Sequence, residues 1–425
     1  MAMALTPLVA SAASPSNINA KSDDRFLILS DIHLSDSDVA DYYTADTGPA
    51  LWSRTQSEFR ELIRTTKPTF LLILGDLPGH VNPALTPQQN QQRAKSNIQT
   101  VVTGLSRIFR ETAKPAFYVF GNNDSFRGDL YSFYDNDATP HTLFGLDDAE
   151  NWPTANASQP CSAIASGEVA CTLDMTHAER LAYYSVKPLG KARRLRLIIL
   201  NSSIFATRYR CVDGGSQTAE IATEIAWFEQ QLAEAKSAND AALIAMHIPP
   251  GIYRTSTLTD EIKPWVHTAE LEPQRQFLQL VTRYHSTIRG VLTGHVHMDE
   301  FRRLRSSDGT MQAIDIGTPG ITPILGGNPA MKAISYDPTT FDLLDAVTYY
   351  NTPKASQNHD WGHYSFRESF GCNKKTLFAC INAISTTSSK FQRQYKKNFP
   401  SRSSKFRPLH GWPVLFDTID VTESP

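Results

Sequence analysis

Several features that would narrow the class of protein are missing from this sequence of 425 residues. It has no continuous apolar run of about 18 residues, which excludes a conventional transmembrane helix. Its formal net charge is only −2, so the overall charge does not demand a polyanionic partner. None of its five cysteines forms a C-x-x-C pair, which argues against a structural zinc site. The sequence also contains no internal repeat and no nucleic-acid-binding motif.

The beginning of the chain and its cysteines indicate an exported protein. The first residues are apolar and end in Ala10-Ser11-Ala12, a cleavage pattern of signal peptides, although no cationic residues precede it. We interpret residues 1–24 as the remnant of a secretory signal, with a disordered tail as the alternative. We therefore expect a secreted or periplasmic protein. Spacing cannot fix disulfide connectivity, but the simplest partition is two short-loop disulfides and one free thiol: Cys161–Cys171, Cys372–Cys380 and Cys211.

Short apolar runs alternate along the chain with segments of helical periodicity. With 41% hydrophobic residues, the chain can bury a large core, either in one α/β domain or in a domain with an appendage. Polar residues follow each run directly, which predicts a largely parallel sheet with its site at the carboxyl ends of the strands. Strands are predicted at about 25–30, 70–74, 116–120, 195–200, 241–246 and 290–293, helices at about 51–65, 90–111, 217–236 and 272–284, and strands of a second sheet at about 300–305 and 311–316.

Metal-compatible side chains follow five of these predicted strands. In the Gly-His-Val-His turn at 294–297, two imidazoles two residues apart share one face of an extended backbone. Imidazole and carboxylate together suit Zn, Mn or Fe better than Ca or Mg. Seven candidates are too many for one tetrahedral ion, but enough for two ions that share a carboxylate, clamp a phosphoryl group and generate hydroxide from water. The candidates are Asp31, His33, Asp76, Asn122, His247, His295 and His297.

These residues resemble, in order along the chain, the five motifs of calcineurin-like metallophosphoesterases. The resemblance implies an α/β fold in which two mixed β-sheets pack as a sandwich flanked by helices. It also implies that Asp76 bridges two divalent ions. In that scheme one ion is held by Asp31, His33 and His297, and the other by Asn122, His247 and His295. The matching motifs are D-I-H at 31–33, G-D at 75–76, G-N-N-D at 121–124, His247 and G-H-V-H at 294–297.

A narrower resemblance links the chain to acid sphingomyelinase-like phosphodiesterases. The stretch at 75–80 is similar to their G-D-x-P-x-H motif, and this implies that His80 lies beside the phosphate. Segments at 320–337 and 364–371 resemble the parts of those enzymes that follow the site. Asn123 stands where they normally carry histidine, and vacuolar endopolyphosphatases look similar in having Asn-Asn-Asp there. An asparagine can donate a hydrogen bond to a phosphoryl oxygen but cannot supply a proton.

We expect three parts in the chain. Residues 1–24 are the leader, 25–345 the dinuclear catalytic domain and 346–425 a C-terminal helical subdomain. Within the catalytic domain, the polar and irregular stretch 127–180 is interpreted as an insertion over the site, or as a surface excursion. Between Lys374 and Arg407 there are nine Lys or Arg and no Asp or Glu. This basic tail is either a solvated face or a docking surface for an anionic substrate or membrane.

The expected function is that of a secreted dinuclear-metal phosphodiesterase, in which hydroxide at the metals attacks a phosphodiester or phosphoanhydride. His80 is the expected general acid, Asn123 holds phosphoryl oxygens, and zinc is the expected metal, with Mn or Fe as alternatives. An endopolyphosphatase-like hydrolase is the main alternative, and a phosphomonoesterase is another. A non-catalytic binding protein on the same fold is disfavoured because all four ligand histidines are retained. We expect a monomer, and the substrate class (phospholipid, nucleotide or polyphosphate) stays open.

Overall fold

The computed structural model describes most of the chain beyond the leader. Across the described residues, no helix combines the length and the apolar character needed to cross a membrane. The predicted leader lies almost entirely outside these residues, and so does much of the predicted insertion at 127–180. The described ranges are 23–36, 42–135, 137–146, 170–187, 194–252, 264–268, 271–352, 361–408 and 411–423.

Helices and strands alternate in the first two thirds of the chain, and strands then predominate before a helical end. The strands are β1 (Asp24–Leu29), β2 (Phe70–Ile73), β3 (Ala116–Tyr118), β4 (Cys171–Asp174), β5 (Tyr184–Lys187), β6 (Leu195–Ile199), β7 (Ala241–Ala245), β8 (Ile288–Thr293), β9 (Phe301–Arg305), β10 (Met311–Gly317), β11 (Ala330–Tyr336), β12 (Leu343–Asn351), β13 (Trp361–Ser365) and β14 (Asp420–Val421). The helices are α1 (Pro49–Thr66), α2 (Pro87–Thr112), α3 (Ala178–Leu181), α4 (Gln217–Ser237), α5 (Pro273–Arg283), α6 (Phe366–Phe370), α7 (Leu377–Asn382), α8 (Ser389–Asn398) and α9 (Trp412–Phe416).

The strands form two mixed sheets, as the resemblance implied. The six-stranded sheet has the order β13-β12-β11-β1-β2-β3, and the eight-stranded sheet has the order β14-β9-β10-β8-β7-β6-β5-β4. Strands β1, β2 and β3 run parallel to one another, and so do β6, β7 and β8. Because parallel neighbours end at the same edge of a sheet, the loops after β1, β2 and β3 lie together, as do those after β7 and β8.

Successive side chains of β1 face two different hydrophobic cores, one on each side of the six-stranded sheet. Phe26 and Ile28 point into the core between the two sheets, whereas Leu27 and Leu29 point into the core that also contains residues of α1 and α2. A third core packs α4 and α5 against the outer face of the eight-stranded sheet. Side chains of successive strand residues face opposite sides, so a strand buried on both faces reads as an unbroken apolar run. The fold is therefore a β-sandwich with helices on both outer faces.

The four long helices begin and end close to their predicted limits. Pro49 and Pro87 occupy first-turn positions in α1 and α2, where a missing N–H costs no hydrogen bond. At the start of α2, the side chains of Thr86 and Gln89 form a capping box. Lys67 ends α1 in the left-handed conformation, at φ 50°. Local capping and apolar spacing were thus sufficient to locate these helices.

One prediction about the sheets was confirmed and one was wrong. The strands near 300–305 and 311–316 do complete a second sheet, because β9 and β10 lie in the eight-stranded sheet, apart from β1, β2 and β3. The pattern alone had predicted a largely parallel sheet, whereas antiparallel pairs join β11 to β1 and β12 to β13. β12 is only intermittently buried, so its sequence shows no continuous apolar run. Its position depends on pairing with distant strands, which sequence periodicity does not encode.

The C-terminal residues pack onto the eight-stranded sheet. Phe391 of α8 and Leu377 of α7 belong to the same hydrophobic core as Phe301 of β9, and β14 pairs with β9. Residue 345, the predicted domain boundary, falls within β12. The division into a catalytic domain and a helical subdomain stays a prediction.

The cysteines follow the predicted partition where the structure describes them. Cys372 and Cys380 form a disulfide, and Cys211 is free. Cys171 is disulfide-bonded, and its predicted partner Cys161 lies outside the described residues.

Candidate metal centre

The candidate ligands lie in loops that leave the carboxyl ends of β1, β2, β3, β7 and β8. Five of them have left-handed backbone conformations, a region that costs about 1–3 kcal/mol for a residue other than glycine. Such strain persists only where the surrounding structure enforces it, and it clusters at functional sites. The residues and their φ angles are Asp31 (48°), His33 (44°), Asp76 (55°), His295 (69°) and His297 (62°).

His33 and His297 form the first half of the site with two carboxylates. Their Nε2 atoms face each other at 3.1 Å. His297 Nε2 lies 3.4 Å from Asp31 Oδ1, and His33 Nε2 lies 3.3 Å from Asp76 Oδ2. The Nδ1 atom of His33 is 3.1 Å from the carbonyl oxygen of Pro78, to which it donates. This leaves the lone pair of Nε2 directed at the carboxylates, the tautomer that a metal ligand requires.

His247 and His295 form the second half around the same carboxylate. His247 Nε2 lies 3.3 Å from Asp76 Oδ2, while its Nδ1 is 2.5 Å from the carbonyl oxygen of Leu74. Although His247 is fully buried, its Nε2 has no hydrogen-bond partner. His295 Nδ1 is 2.8 Å from Asn122 Oδ1. Asp76 Oδ2 thus stands at equal distance from one imidazole of each half.

These residues fit two divalent cations. An unpartnered imidazole nitrogen in a buried site is costly unless a ligand takes its lone pair. Ligand atoms of Asp31, His33 and Asp76 lie within 4.8 Å of one another, and so do those of Asp76, His247 and His295. Asp76 belongs to both groups, as a bridging carboxylate must. The donor set of imidazole, carboxylate and amide oxygen suits Zn, Mn or Fe.

The carboxylates and imidazoles of the site control one another's charge. Burial alone would raise the pKa of Asp76, but His247 and His33 hold that pKa well below its usual range. Burial alone would lower the pKa of His247, but Asp76 raises it to about 10. Burial, together with the charge of His247, lowers the pKa of His295 to about 3. The buried carboxylates therefore stabilise positive charge at the centre of the site, and either protons or divalent cations can carry that charge.

Hydrogen bonds from neighbouring loops fix the carboxylate of Asp31. Ser30 Oγ donates to its Oδ2 at 2.5 Å, and the backbone N–H of His295 donates to both of its oxygens at 3.1 Å. The close approach also explains a glycine of the G-H-V-H motif. A Cβ on Gly294 would lie 2.3 Å from Ser30 Oγ, so any larger residue there would displace the β1 loop.

Asn123 contacts Asp76 instead of pointing away from it. Its backbone N–H donates to Asp76 Oδ1 at 2.8 Å, and its side-chain Nδ2 donates to Asp76 Oδ2 at 2.9 Å. The preceding Asn122 donates from Nδ2 to Asp129 Oδ1 at 2.8 Å, which turns its Oδ1 towards His295. In this arrangement Asn123 positions the shared carboxylate, and a contact with phosphoryl oxygens stays a prediction.

His80 lies at the edge of the first half of the site. Its ring stacks on that of His33, with centroids 4.0 Å apart. Asp46 holds His80 twice, since its Oδ1 is 2.7 Å from Nδ1 and its Oδ2 accepts the backbone N–H at 2.8 Å. Burial alone would lower the pKa of His80, but Asp46 raises it overall. Ligand atoms of His80, His33 and His297 also lie within 4.8 Å of one another, so His80 is close enough to act as a ligand.

Three supporting carboxylates were absent from the predicted site. Asp124 accepts backbone N–H groups of Asp76 and Leu77, at 2.9 and 2.8 Å, and thereby joins the loops after β2 and β3. Burial raises the pKa of Asp124 to about 7. Its place in the G-N-N-D motif could have drawn attention to it. Asp129 and Asp46 lie in irregular polar segments, where no sequence signal indicated a role.

Comparison with known proteins gives matches along most of the chain. The family model described as calcineurin-like phosphoesterase matches residues 24–299. The acid sphingomyelinase-like phosphodiesterase 3b of Homo sapiens is 24% identical over 383 residues, which cover 85% of this chain and 75% of that protein. The cyclic GMP-AMP phosphodiesterase SMPDL3A of Mus musculus is 26% identical over 236 residues, covering 52% of this chain and 51% of that protein. A dimetal phosphatase from Danio rerio superposes with a TM-score of 0.48 and 11% identity over 80% of this chain and 98% of its own.

Proposed function

The chain belongs to the calcineurin-like phosphoesterase family, and on that premise we propose that it is a metal-dependent phosphodiesterase of the acid sphingomyelinase-like type that cleaves a phosphodiester or a phosphoanhydride. The observation that carries this proposal is the shared carboxylate: Asp76 Oδ2 lies 3.3 Å from both His33 Nε2 and His247 Nε2. Two imidazoles that converge on one carboxylate oxygen from opposite halves of a buried site are arranged to hold two ions with that carboxylate between them.

The ligand scheme assigns each side chain to one ion or to both. Asp31, His33 and His297 would hold one ion, Asn122, His247 and His295 the other, and Asp76 both. When bound, such ions supply Lewis acidity to a phosphoryl group and make water more acidic. Zinc is the proposed metal because imidazole nitrogens would supply two of the four donors to each ion.

The chain's own residues keep this arrangement rigid. The carbonyl groups of Pro78 and Leu74 fix the tautomers of His33 and His247, and Asn123 holds both oxygens of Asp76. Partners of this kind orient ligands and raise their basicity, and their loss typically lowers metal affinity or activity about 10–100-fold.

His80 is the proposed proton donor for the leaving oxygen. With Nδ1 bonded to Asp46 at 2.7 Å, its Nε2 is the nitrogen left to deliver a proton. The Asp46 carboxylate stabilises the imidazolium and offsets the positive charge that two ions bring nearby. Because the leaving oxygen of an alkyl ester is strongly basic, proton delivery matters most for that class of substrate.

An endopolyphosphatase-like activity is the second candidate, and Asn123 favours it. An amide cannot replace the second proton donor that a histidine would supply. A phosphoanhydride releases a weakly basic phosphate oxygen, so its cleavage depends less on such a donor.

The names of the relatives point to different substrates, and we therefore propose the phosphodiester class without choosing one ester.

Export from the cytoplasm is also proposed. The Cys372–Cys380 disulfide supports it, because disulfides persist in oxidising compartments.

The test of the proposed function combines metal analysis with hydrolysis. Purified protein should contain two divalent ions per chain, hydrolyse a nitrophenyl phosphodiester with added Zn or Mn, and lose this activity to a chelator. Asp76→Asn should reduce metal content as well as turnover, because it weakens both halves of the site. Asp345→Asn, on β12, is the matched control. Full metal occupancy in Asp76→Asn would refute the bridging role, and no hydrolysis of any phosphate ester by the metal-loaded protein would refute the function.

A further inference from the structure

Three polar residues lie side by side on neighbouring strands of the six-stranded sheet. Lys332 of β11 is paired with Thr348 of β12, and Thr348 is paired with Tyr364 of β13. Directly opposed residues point to the same face of a sheet. Lys332 is also paired with Ile28 of β1, whose side chain lies in the core between the two sheets. We call Lys332, Thr348 and Tyr364 the polar row, and it therefore faces the eight-stranded sheet.

The polar row is buried among apolar side chains. Lys332 and Thr348 are each 1% exposed, and Tyr364 is 6% exposed. Ile334 of β11 and Ala346 of β12, which neighbour the row on the same face, belong to the core between the sheets. Burying a polar group costs free energy unless it finds hydrogen-bond partners, and burying an ammonium group costs more. The row therefore depends on the partners that the fold provides.

All three members of the polar row converge on one carboxylate, that of Asp299. Lys332 Nζ donates to Asp299 Oδ1 at 2.8 Å. Thr348 Oγ1 and Tyr364 Oη donate to Asp299 Oδ2, at 2.7 and 2.6 Å. Lys332 Nζ also donates to the carbonyl oxygen of Gly317, the last residue of β10, at 2.5 Å. Asp299 thus receives one hydrogen bond from each of three successive strands of the six-stranded sheet.

Asp299 itself belongs to the loop that carries His297 of the metal centre. This loop joins β8 to β9 in the eight-stranded sheet, and Asp299 lies two residues beyond His297. The backbone N–H of Asp299 donates to the carbonyl oxygen of Phe399, at the end of α8, at 2.8 Å. The carbonyl oxygen of His297 accepts the backbone N–H of Gly320 at 3.2 Å. Side-chain and backbone contacts together therefore fix the chain directly after His297.

The metal centre needs such a connection because its candidate ligands come from both sheets. Asp31 and His33 follow β1 of the six-stranded sheet, whereas His297 follows β8 of the eight-stranded sheet. His297 Nε2 lies 3.1 Å from His33 Nε2 and 3.4 Å from Asp31 Oδ1, so a small shift between the sheets would separate these ligand atoms. Fully satisfied polar networks rigidify a core and specify one arrangement of its parts.

We propose that Asp299, held by the polar row, is a positioning residue for His297. By fixing His297 it strengthens binding of the first ion, the one that the ligand scheme assigns to Asp31, His33 and His297. This inference rests on the proposed function only for the presence of two ions. Residues that orient a metal ligand typically contribute about 10–100-fold to metal affinity or activity.

The second ion should depend less on Asp299. His295, which the ligand scheme assigns to that ion, has an independent contact with the six-stranded sheet, because its backbone N–H donates to both oxygens of Asp31 at 3.1 Å. The proposal therefore predicts that loss of the Asp299 contacts weakens one of the two metal sites more than the other.

The experiment measures zinc affinity by competition with a chromogenic chelator, starting from metal-stripped protein. Tyr364→Phe removes one of the three side-chain hydrogen bonds to Asp299 and should weaken zinc binding at one site about tenfold. Asp299→Asn removes the charge and should weaken it about a hundredfold. This stronger variant also leaves the buried ammonium of Lys332 unpaired and so costs stability. Tyr364→Phe keeps that ion pair intact and decides the question.

Each variant has a matched control elsewhere in the fold. Tyr134→Phe removes a buried hydroxyl that donates to the carboxylate of Glu220, on α4, at 2.7 Å. Asp345→Asn removes a carboxylate of β12 that accepts from Ser365 Oγ at 2.6 Å. Both controls should bind zinc at both sites as tightly as the unaltered protein does.

Two further measurements separate positioning from a general loss of stability. At a temperature at which circular dichroism shows all variants folded, excess zinc should restore kcat of Tyr364→Phe for a nitrophenyl phosphodiester. In the His297→Ala background, Tyr364→Phe should have no further effect on zinc affinity, because it acts through His297.

Four results would overturn the inference. They are equal zinc affinities in Tyr364→Phe and Tyr134→Phe, equal weakening of both sites, a kcat that excess zinc does not restore, and a full effect of Tyr364→Phe in the His297→Ala background. Any of these in a protein that binds two ions and hydrolyses the diester would leave the proposed function intact. An unaltered protein that binds no zinc would instead refute the proposed function.

Discussion

The contact between Asp46 and His80 predicts a specific pattern of kinetic defects. Asp46→Asn keeps one acceptor oxygen, for His80 Nδ1, but removes the charge that stabilises the imidazolium and the acceptor for the backbone N–H of His80. A hydrogen bond to a charged group contributes about 1.5–3 kcal/mol and a neutral one about 0.5–1.5 kcal/mol, so the change should weaken the imidazolium by about 1–1.5 kcal/mol. This corresponds to about a tenfold loss in kcat for an alkyl phosphodiester. His80→Ala removes the acid and should cost about 10²–10⁴ in rate.

The leaving group separates proton delivery from other roles of Asp46. A nitrophenyl diester needs little protonation, so both variants should hydrolyse it at nearly the normal rate and retain both metals. In the His80→Ala background, Asp46→Asn should have no further effect, because the two residues act as a unit. The matched control is Asp135→Asn, which removes the carboxylate of another Asp–His pair, 2.8 Å from His141 Nε2. Equal losses on both esters, or a full effect of Asp46→Asn without His80, would show that Asp46 supports the fold of the loop and not the proton donor.

Further expected outcomes concern three other parts of the molecule. Asn123→His should supply a second acid and raise kcat for alkyl diesters, provided that metal analysis shows unchanged occupancy; lower activity at full occupancy would contradict this role. Non-reducing peptide mapping should recover Cys372 linked to Cys380. Cys211 should react with an alkylating reagent in the unfolded, unreduced protein. A bridged Cys211 would refute the partition into two disulfides and one free thiol. Burial raises the pKa of Asp315 to about 7. The carboxyl group of Asp315 therefore stabilises the folded protein fully below about pH 4, and this stabilisation is lost as the pH rises through about 7. Denaturant titrations should therefore show that the free energy of unfolding falls less between those pH values in Asp315→Asn than in the unaltered protein. An identical fall in both proteins would contradict the raised pKa of Asp315.

The metal centre could be predicted from sequence because each of its loops follows a strand that is apolar on both faces. Such strands stand out as short runs, and parallel strands bring their ends together, so Asp31, Asp76 and His247 could be grouped from the residue pattern alone. Asp46 could not be found in this way. It lies in a polar stretch without periodicity, 34 residues from His80, and its importance arises only from the folded contact. The sequence pattern could not identify the antiparallel partners of β11 and β12 either, because those partners are set by tertiary packing.

The pairing of β1 with β11 has a consequence for how the protein is made. Leu27 lies opposite Leu71 on one side and opposite Ala333 on the other. During synthesis, β2 is available to β1 soon after β1 leaves the ribosome, but β11 follows only after some three hundred further residues. Closing so long a loop is entropically costly, and contacts of this separation slow folding. One edge of β1 is therefore exposed for most of translation, and an unpaired edge is a template for aggregation. We expect the nascent chain, more than the finished enzyme, to depend on chaperones.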